Sequence, residues 1–233
     1  MIRNNSSSRE HEREAVYHRA AVWAQEDTRA LATRIDVPIA ALKATRRARE
    51  DAEDATASAL AARDVAAVKL DDTVRALAAQ AEVADRERPI GGAVPRLFPD
   101  RSAAEIGAMP LQDQIWEAAK LLERLALLPE ADPLRRHLEA LGARSSGLQT
   151  ARAAYGEAVQ SVAAARVREE LAQLDLRRTL GANRGTLIEM NHGDSRAAAR
   201  YFRGEPRRTN GKTNGVSTEL PAAPPPSAPP IAG

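Results

Sequence analysis

"IAALKATRRAREDAEDATASALAARDVAAVKLDDTVRALAAQAEVADR", residues 39–86, decides the fold. The stretch contains neither proline nor glycine, and its commonest residue is alanine, the best helix former because it has no side-chain entropy to lose. Leu70, Val74, Leu77, Ala81 and Ala84 recur at heptad-like spacing, and Leu60, Val65 and Val68 extend the apolar side. Arg46, Arg47, Glu50, Asp51, Glu53 and Asp54 alternate in sign on the other side, the pattern of a solvated helix face with exposed ion pairs. The stretch reads as one long helix.

Upstream, "SSRE" (7–10) is a capping box, in which a serine caps an early amide and a glutamate reaches back. Tyr17, Ala21, Ala24, Thr28 and Leu31 follow at spacings of three and four, a helical stripe. The first long helix is therefore expected over about residues 8–86. A break or sharp kink is expected at Asp36–Pro38, because proline removes an amide and clashes with the preceding turn. Residues 1–7 read as disordered.

Downstream, "RPIGGAVPRLFPD" (88–100) is a loop on its glycines and prolines. A helical cap segment is expected over about 101–128. It opens with a second capping box, Ser102 and Glu105, and carries the strongest amphipathic run, Leu111, Ile115, Ala118, Leu122 and Leu125, with Leu121 and Leu128 widening the face. Asp132 and Pro133 then start a second long helix, about 133–190. Leu134, Leu138, Leu141, Leu148, Tyr155, Val159 and Val162 hold one face across Gly142–Gly147, which predicts continuity or a slight bend there. A short helix capped by Asp194 is expected over 195–203, and 204–233 reads as a disordered, proline-rich tail, dispensable for folding. A faint echo at an offset of 104, with Phe98 on Phe202 and Leu70 on Leu174, reads first as chance among abundant alanine, with an ancient duplication as the alternative.

Composition agrees. Apolar residues are 43% of the chain but aromatics only 3%, and a core of alanines is thin at about 0.8 kcal/mol per buried carbon. The fold expected is all-α: long alanine-rich helices in an antiparallel, coiled-coil-like hairpin within a single elongated domain, 8–203, with a shorter helical cap. There are 34 basic against 32 acidic residues, for a net charge of +2, so no strong field marks a partner. Only Lys43, Lys69, Lys120 and Lys212 are lysines; the arginine excess accompanies abundant Ala, Pro and Gly and reads first as codon composition. Cysteine is absent, which removes disulfides and thiolate metal sites. No apolar run approaches the roughly 20 residues that span a bilayer, and the polar N-terminus has no signal-peptide core, so a soluble, cytoplasmic protein is expected.

The motifs argue against catalysis. Gly211-Lys212-Thr213 spells the end of a phosphate loop, but Pro206 stands where the loop's first glycine belongs, and neither strand nor helix flanks it. His11 and His18 are seven apart with Glu14 between them; without further ligands they read as surface histidines near a helix start. Adjacent Asp71 and Asp72 point apart on a helix. No cofactor, metal or small-molecule substrate is expected. Arg196, Arg200, Arg203, Arg207, Arg208 and Lys212, interleaved with Tyr201 and Phe202, form a candidate anion or nucleic-acid contact. Leu70, Val74, Leu77, Leu122 and Leu125 form a candidate helix–helix interface, with self-association as a dimer expected through the stripe a short cap leaves uncovered. The function expected is a non-enzymatic scaffold or adaptor working through protein–protein contact, with nucleic-acid binding as the alternative.

Overall fold

A computed structural model describes residues 7–87 and 92–203. Every regular element among them is helical. Helix α1, Ser8–Trp23, starts at the expected capping box: the Ser7 hydroxyl accepts from the Glu10 amide at 3.4 Å, and the Glu10 carboxylate accepts from the Ser7 amide at 3.0 Å. Helix α2, Arg29–Glu87, is 59 residues long, about 90 Å at 1.5 Å per residue.

The break between them is not at Pro38. Pro38 lies inside a continuous α2, buried, and the chain reverses instead at Ala24–Thr28, where Gln25 is extended (φ −120°, ψ 134°) and a single 3-10 turn, Glu26–Thr28, starts the new helix. The Thr28 hydroxyl donates to the Val22 carbonyl at 2.6 Å and locks this corner. The amide that Pro38 lacks would have served the carbonyl of Arg34, and Arg34 is exposed to water, which can take its place. The expected stripe of α1 is also corrected. Ser8, His11, Ala15, His18 and Val22 are its buried face, while Tyr17 is 45% exposed. A return helix that covers two others at once buries whichever face meets both, and here that face carries two histidines.

Beyond α2 come α3, Ala93–Leu97; α4, Ala103–Gly107; and α5, Leu111–Ala126. Ser102 and Glu105 cap α4 reciprocally as expected. Gly107 allows a close approach: a Cβ there would collide with the Asp71 carboxylate. A 3-10 turn, Pro133–Arg136, capped by Asp132, leads into α6, His137–Met190, which runs unbroken through Gly142–Gly147. Helix α7, Ser195–Ala199, follows, capped by Asp194.

Helices α2 and α6 form an antiparallel hairpin. The Leu31 carbonyl meets Asn183 at 3.0 Å, Arg49 meets Glu169 at 2.6 Å, Arg63 lies over the Tyr155 ring at 4.6 Å, and Gln80 meets His137 at 2.7 Å, so rising numbers on α2 pair with falling numbers on α6. The contact keeps a seven-residue period along both helices. From the 3-10 turn into α2, Thr28, Ile35, Leu42, Arg49, Thr56, Arg63, Leu70, Leu77 and Ala84 are all buried or half-buried; on α6, Leu141, Leu148, Tyr155, Val162, Glu169, Leu176 and Asn183 are too. This is coiled-coil spacing, with apolar ends and a polar middle.

A third layer covers the hairpin at each end. At one end α1 lies over it, with Ala15, Ile35, Ile39, Leu42, Leu176 and Leu180 in one cluster and Val22, Leu31, Ala32, Leu187 and Ala198 in another. At the other, α3, α4 and α5 build the largest cluster, in which Leu70, Val74 and Leu77 meet Ile115, Ala118, Leu121 and Leu125. Leu121 and Leu128, expected to widen the apolar face of α5, are buried, whereas Leu111 and Leu122 on the expected line are only half-buried.

Candidate functional site

The densest polar chemistry lies where α1 docks on the hairpin. His18 and Asn183 are both fully buried. His18 Nδ1 lies 3.1 Å from the Tyr201 carbonyl, its Nε2 lies 3.1 Å from Asn183 Nδ2, and its ring stacks on Phe202 at 4.4 Å between centroids. Asn183 Nδ2 also donates to the Leu31 carbonyl at 3.0 Å. That carbonyl can only accept, which fixes the amide with its NH2 toward it. The same NH2 then needs an acceptor at His18 Nε2, so the network requires neutral imidazole with its proton on Nδ1, donated to Tyr201. Burial lowers the His18 pKa below 6.5, partly offset by the Tyr201 carbonyl. One histidine thus joins α1, α2, α6 and the segment after α7.

A second cluster sits at the start of α1. The Ser8 hydroxyl donates to Glu169, and Gln173 Nε2 donates to Ser8 Oγ at 2.5 Å. Glu169 is 6% exposed and also accepts from Arg49 Nε at 2.6 Å. Arg49 grips Glu53 at 2.8 Å through the same guanidinium; Glu53 and then Glu169 raise its pKa, while Arg49 and then Arg166 lower that of Glu53. These groups line a groove of about 470 Å³. Its charges answer one another: Arg9 pairs with Glu50 at 3.7 Å, Arg46 with Glu12 at 2.5 Å, and Arg166 with Glu53 at 3.2 Å. These pairs compensate most of the groove's charges, and the Ser8, Glu169 and Gln173 bonds dock α1 there.

His11 and His18 are not surface residues. Both are fully buried, and each is held by a backbone carbonyl, His11 Nδ1 by that of Ser7 at 2.9 Å. Among the described residues no group of three or more His, Cys, Asp or Glu could hold a metal ion, and no helix is long and apolar enough to cross a membrane.

Of the basic candidates, Arg196, Arg200 and Arg203 are exposed, whereas Arg207, Arg208 and Lys212 lie outside the described residues, as does Gly211-Lys212-Thr213. The aromatics between them are half-buried and engaged within the chain: Phe202 stacks on His18, and the Tyr201 hydroxyl donates to the exposed Gln25. Of the candidate interface, Leu70, Val74, Leu77 and Leu125 are buried among the chain's own helices and Leu122 is half-buried.

Comparison with protein-family models, with curated proteins and with solved structures finds no match to this chain.

Sequence reasoning passed over Glu169 and Asn183. A signal for both was present: they stand in line, at multiples of seven, with Leu141, Leu148, Tyr155, Val162 and Leu176. A carboxylate and an amide at core positions of an otherwise apolar repeat need dedicated partners.

Proposed function

We propose that this chain is a non-enzymatic helical scaffold in the cytoplasm that works by protein–protein contact. The observation that carries the reading is the outer surface of α1. Helix α1 is only 16 residues long, yet it turns Val16 (43% exposed), Tyr17 (45%) and Trp23 (57%) outward while its other face is buried against the hairpin. Large apolar side chains gathered on one short, docked helix mark a contact surface more strongly than the same residues scattered singly. The hairpin behind it, covered at both ends, supplies a stiff support. Self-association, if the chain uses it, needs residues other than Leu70 and Leu77, which the chain's own helices already cover.

Nucleic-acid binding is the reading to be separated from this one. It retains the exposed Arg196, Arg200 and Arg203 but loses Tyr201 and Phe202 as a stacking platform, since both are engaged inside the chain. The test is affinity capture with the full chain from its native host, with and without nuclease and over a range of salt. The scaffold reading expects the same protein partner under every condition, and its loss with Trp23→Glu while helical circular dichroism is unchanged. Capture that disappears with nuclease, or falls steeply with salt, would refute it.

A further inference from the structure

Helices α1 and α5 have 16 residues each and lie at opposite ends of the hairpin, but they are held differently. Helix α5 buries Ile115, Ala118, Leu121 and Leu125 beside Gln114 and Glu117. The buried face of α1 has only two apolar side chains, Ala15 and Val22; the rest is Ser8, His11 and His18. An alanine and a valine remove little apolar area from water, so much of the hold on α1 falls to polar atoms. His18 is at their centre. The segment that follows α7 closes over it as a strap. The Tyr201 carbonyl lies 3.1 Å from Nδ1, Phe202 stacks on the ring and packs against the Ala15 cluster, and the Tyr201 hydroxyl reaches back to Gln25 at the corner before α2.

This site has no place for a second proton. With one proton on Nδ1 toward Tyr201, another would stand on Nε2, 3.1 Å from the Asn183 NH2, and two donors would face each other. Turning the amide over brings Oδ1 to Nε2 but sets the same oxygen against the Leu31 carbonyl, 3.0 Å away, and two acceptors then face each other. Charged neighbours among the described residues do not relieve the conflict. On α1, Glu14 stands one turn before His18 but already has a partner, and Arg19 is taken by Asp36 of α2 at 2.5 Å. Arg29 and Arg34 of α2 are exposed, as are Asp175, Arg178 and Glu189 of α6. The half-buried charged residues in this part of α6 are Arg177 and Arg184, which carry the same sign as imidazolium; so do the exposed Arg200 and Arg203 beside the strap. Burial accordingly lowers the His18 pKa.

We propose that α1 is a proton-released arm: when His18 takes a second proton, α1 and the strap leave the hairpin, while α2, α6 and the α3–α5 group stay folded. The sign follows from the lowered value. In water the imidazole returns to about 6.5, so the docked arm is fully favoured above that pH and loses ground as pH falls from it. The hairpin outlasts the arm for two reasons. Ile35, Leu42 and Leu176 beneath α1 also belong to the seven-residue seam and keep a neighbour across it, and the large cluster at the far end contains no residue of α1. Val16, Tyr17 and Trp23 ride on α1, so acid takes that outer face off its support. The release goes beyond the scaffold reading and does not depend on it.

Hydrogen exchange of the full chain tests the release, read segment by segment at pH 7.5 and 5.5 and expressed as protection factors, so that the pH dependence of the exchange chemistry drops out. Protection in α1 and in residues 195–203 should fall by up to about tenfold between the two pH values, the factor that one proton gives for a released value of 6.5 when the docked ring takes none up. Protection in α5 and in residues 63–77 of α2 should hold. In His18→Phe the protection of α1 should not change with pH, whatever its starting level; His18→Gln, equally without a titrating ring, serves if the phenylalanine variant does not fold. His137, at the other end of α6, is present in every chain and cancels in the comparison. Protection of α1 that does not change with pH in the native chain overturns the proposal. So does a fall of the same size in the His18 variant, an equal fall in α5, or an α1 that already exchanges freely at pH 7.5.

Discussion

Replacing Asn183 by leucine tests the reasoning about the buried histidine directly. The amide makes two hydrogen bonds, to the Leu31 carbonyl at 3.0 Å and to His18 Nε2 at 3.1 Å, and its own Oδ1 is buried without a partner. Leucine is similar in volume, so little cavity forms and the polar terms decide. The Leu31 carbonyl keeps its bond within α2, but His18 Nε2 becomes a buried acceptor with nothing to accept. Leaving such a group unsatisfied costs about 1–3 kcal/mol. Removing the unpartnered Oδ1 returns part of that, so Asn183→Leu should cost about 1–2 kcal/mol. His18→Phe alone strands the Asn183 NH2 and the Tyr201 carbonyl and should cost a similar amount. Made together, the two changes replace a bonded pair by apolar groups of matching shape, and their joint cost should fall short of the sum by at least about 1 kcal/mol. Urea unfolding at pH 8, followed by circular dichroism, measures all four corners of this cycle. Additivity to within about 0.5 kcal/mol would refute direct coupling, and with it the assignment of the proton to Nδ1.

Stability should also depend on pH through the same residue. The pKa of His18 is lowered in the fold, so its contribution is complete above the unfolded value of 6.5 and is lost as pH falls from there through the folded value; His137, also lowered by burial, acts in the same sense. Urea midpoints measured from pH 8 to 5 should fall, and should fall less in His18→Phe; equal slopes would contradict this. Leu125→Ala, at a fully buried site facing the hairpin, should cost about 2–5 kcal/mol in the same assay, and a loss below about 0.5 kcal/mol would put that face of α5 in water. Glu169→Leu removes the acceptor of both Ser8 and Arg49, and should raise hydrogen exchange in the first turns of α1 well before it affects α5; uniform exchange along the chain would mean that α1 does not dock through this carboxylate.

The hairpin was legible because its signal is long. Over residues 39–86 no breaker competes with alanine, and the cap segment declared itself through Leu111–Leu125. The corner at Ala24–Thr28 was not legible, because it contains neither glycine nor proline and is closed by one threonine hydroxyl reaching back to Val22. Pro38 misled for the complementary reason: a rule about local strain yields where a long helix is held on both sides and one lost amide bond leaves its carbonyl facing water. The docking face of α1 was hidden because histidine signals surface or metal, and only tertiary contact supplies Tyr201 and Asn183 as partners. The position of Phe202 against His18 joins residues far apart in the chain, and no periodicity within either helix encodes it.

The polar middle of the hairpin seam acts as a lock on alignment. A seven-residue repeat resembles a screw thread: helices α2 and α6 could slide past each other by one full period and still set leucine, valine and alanine against one another. Arg49 and Glu169 forbid it. A slip of one period would put the Glu169 carboxylate opposite Leu42 or Thr56 in place of its guanidinium, and would take Asn183 away from the Leu31 carbonyl and His18. A carboxylate stranded in that way is far costlier than a mismatched methyl group. Alanine-rich helices are good at lying together and poor at deciding where to stop, and in this chain a few buried polar atoms make the decision.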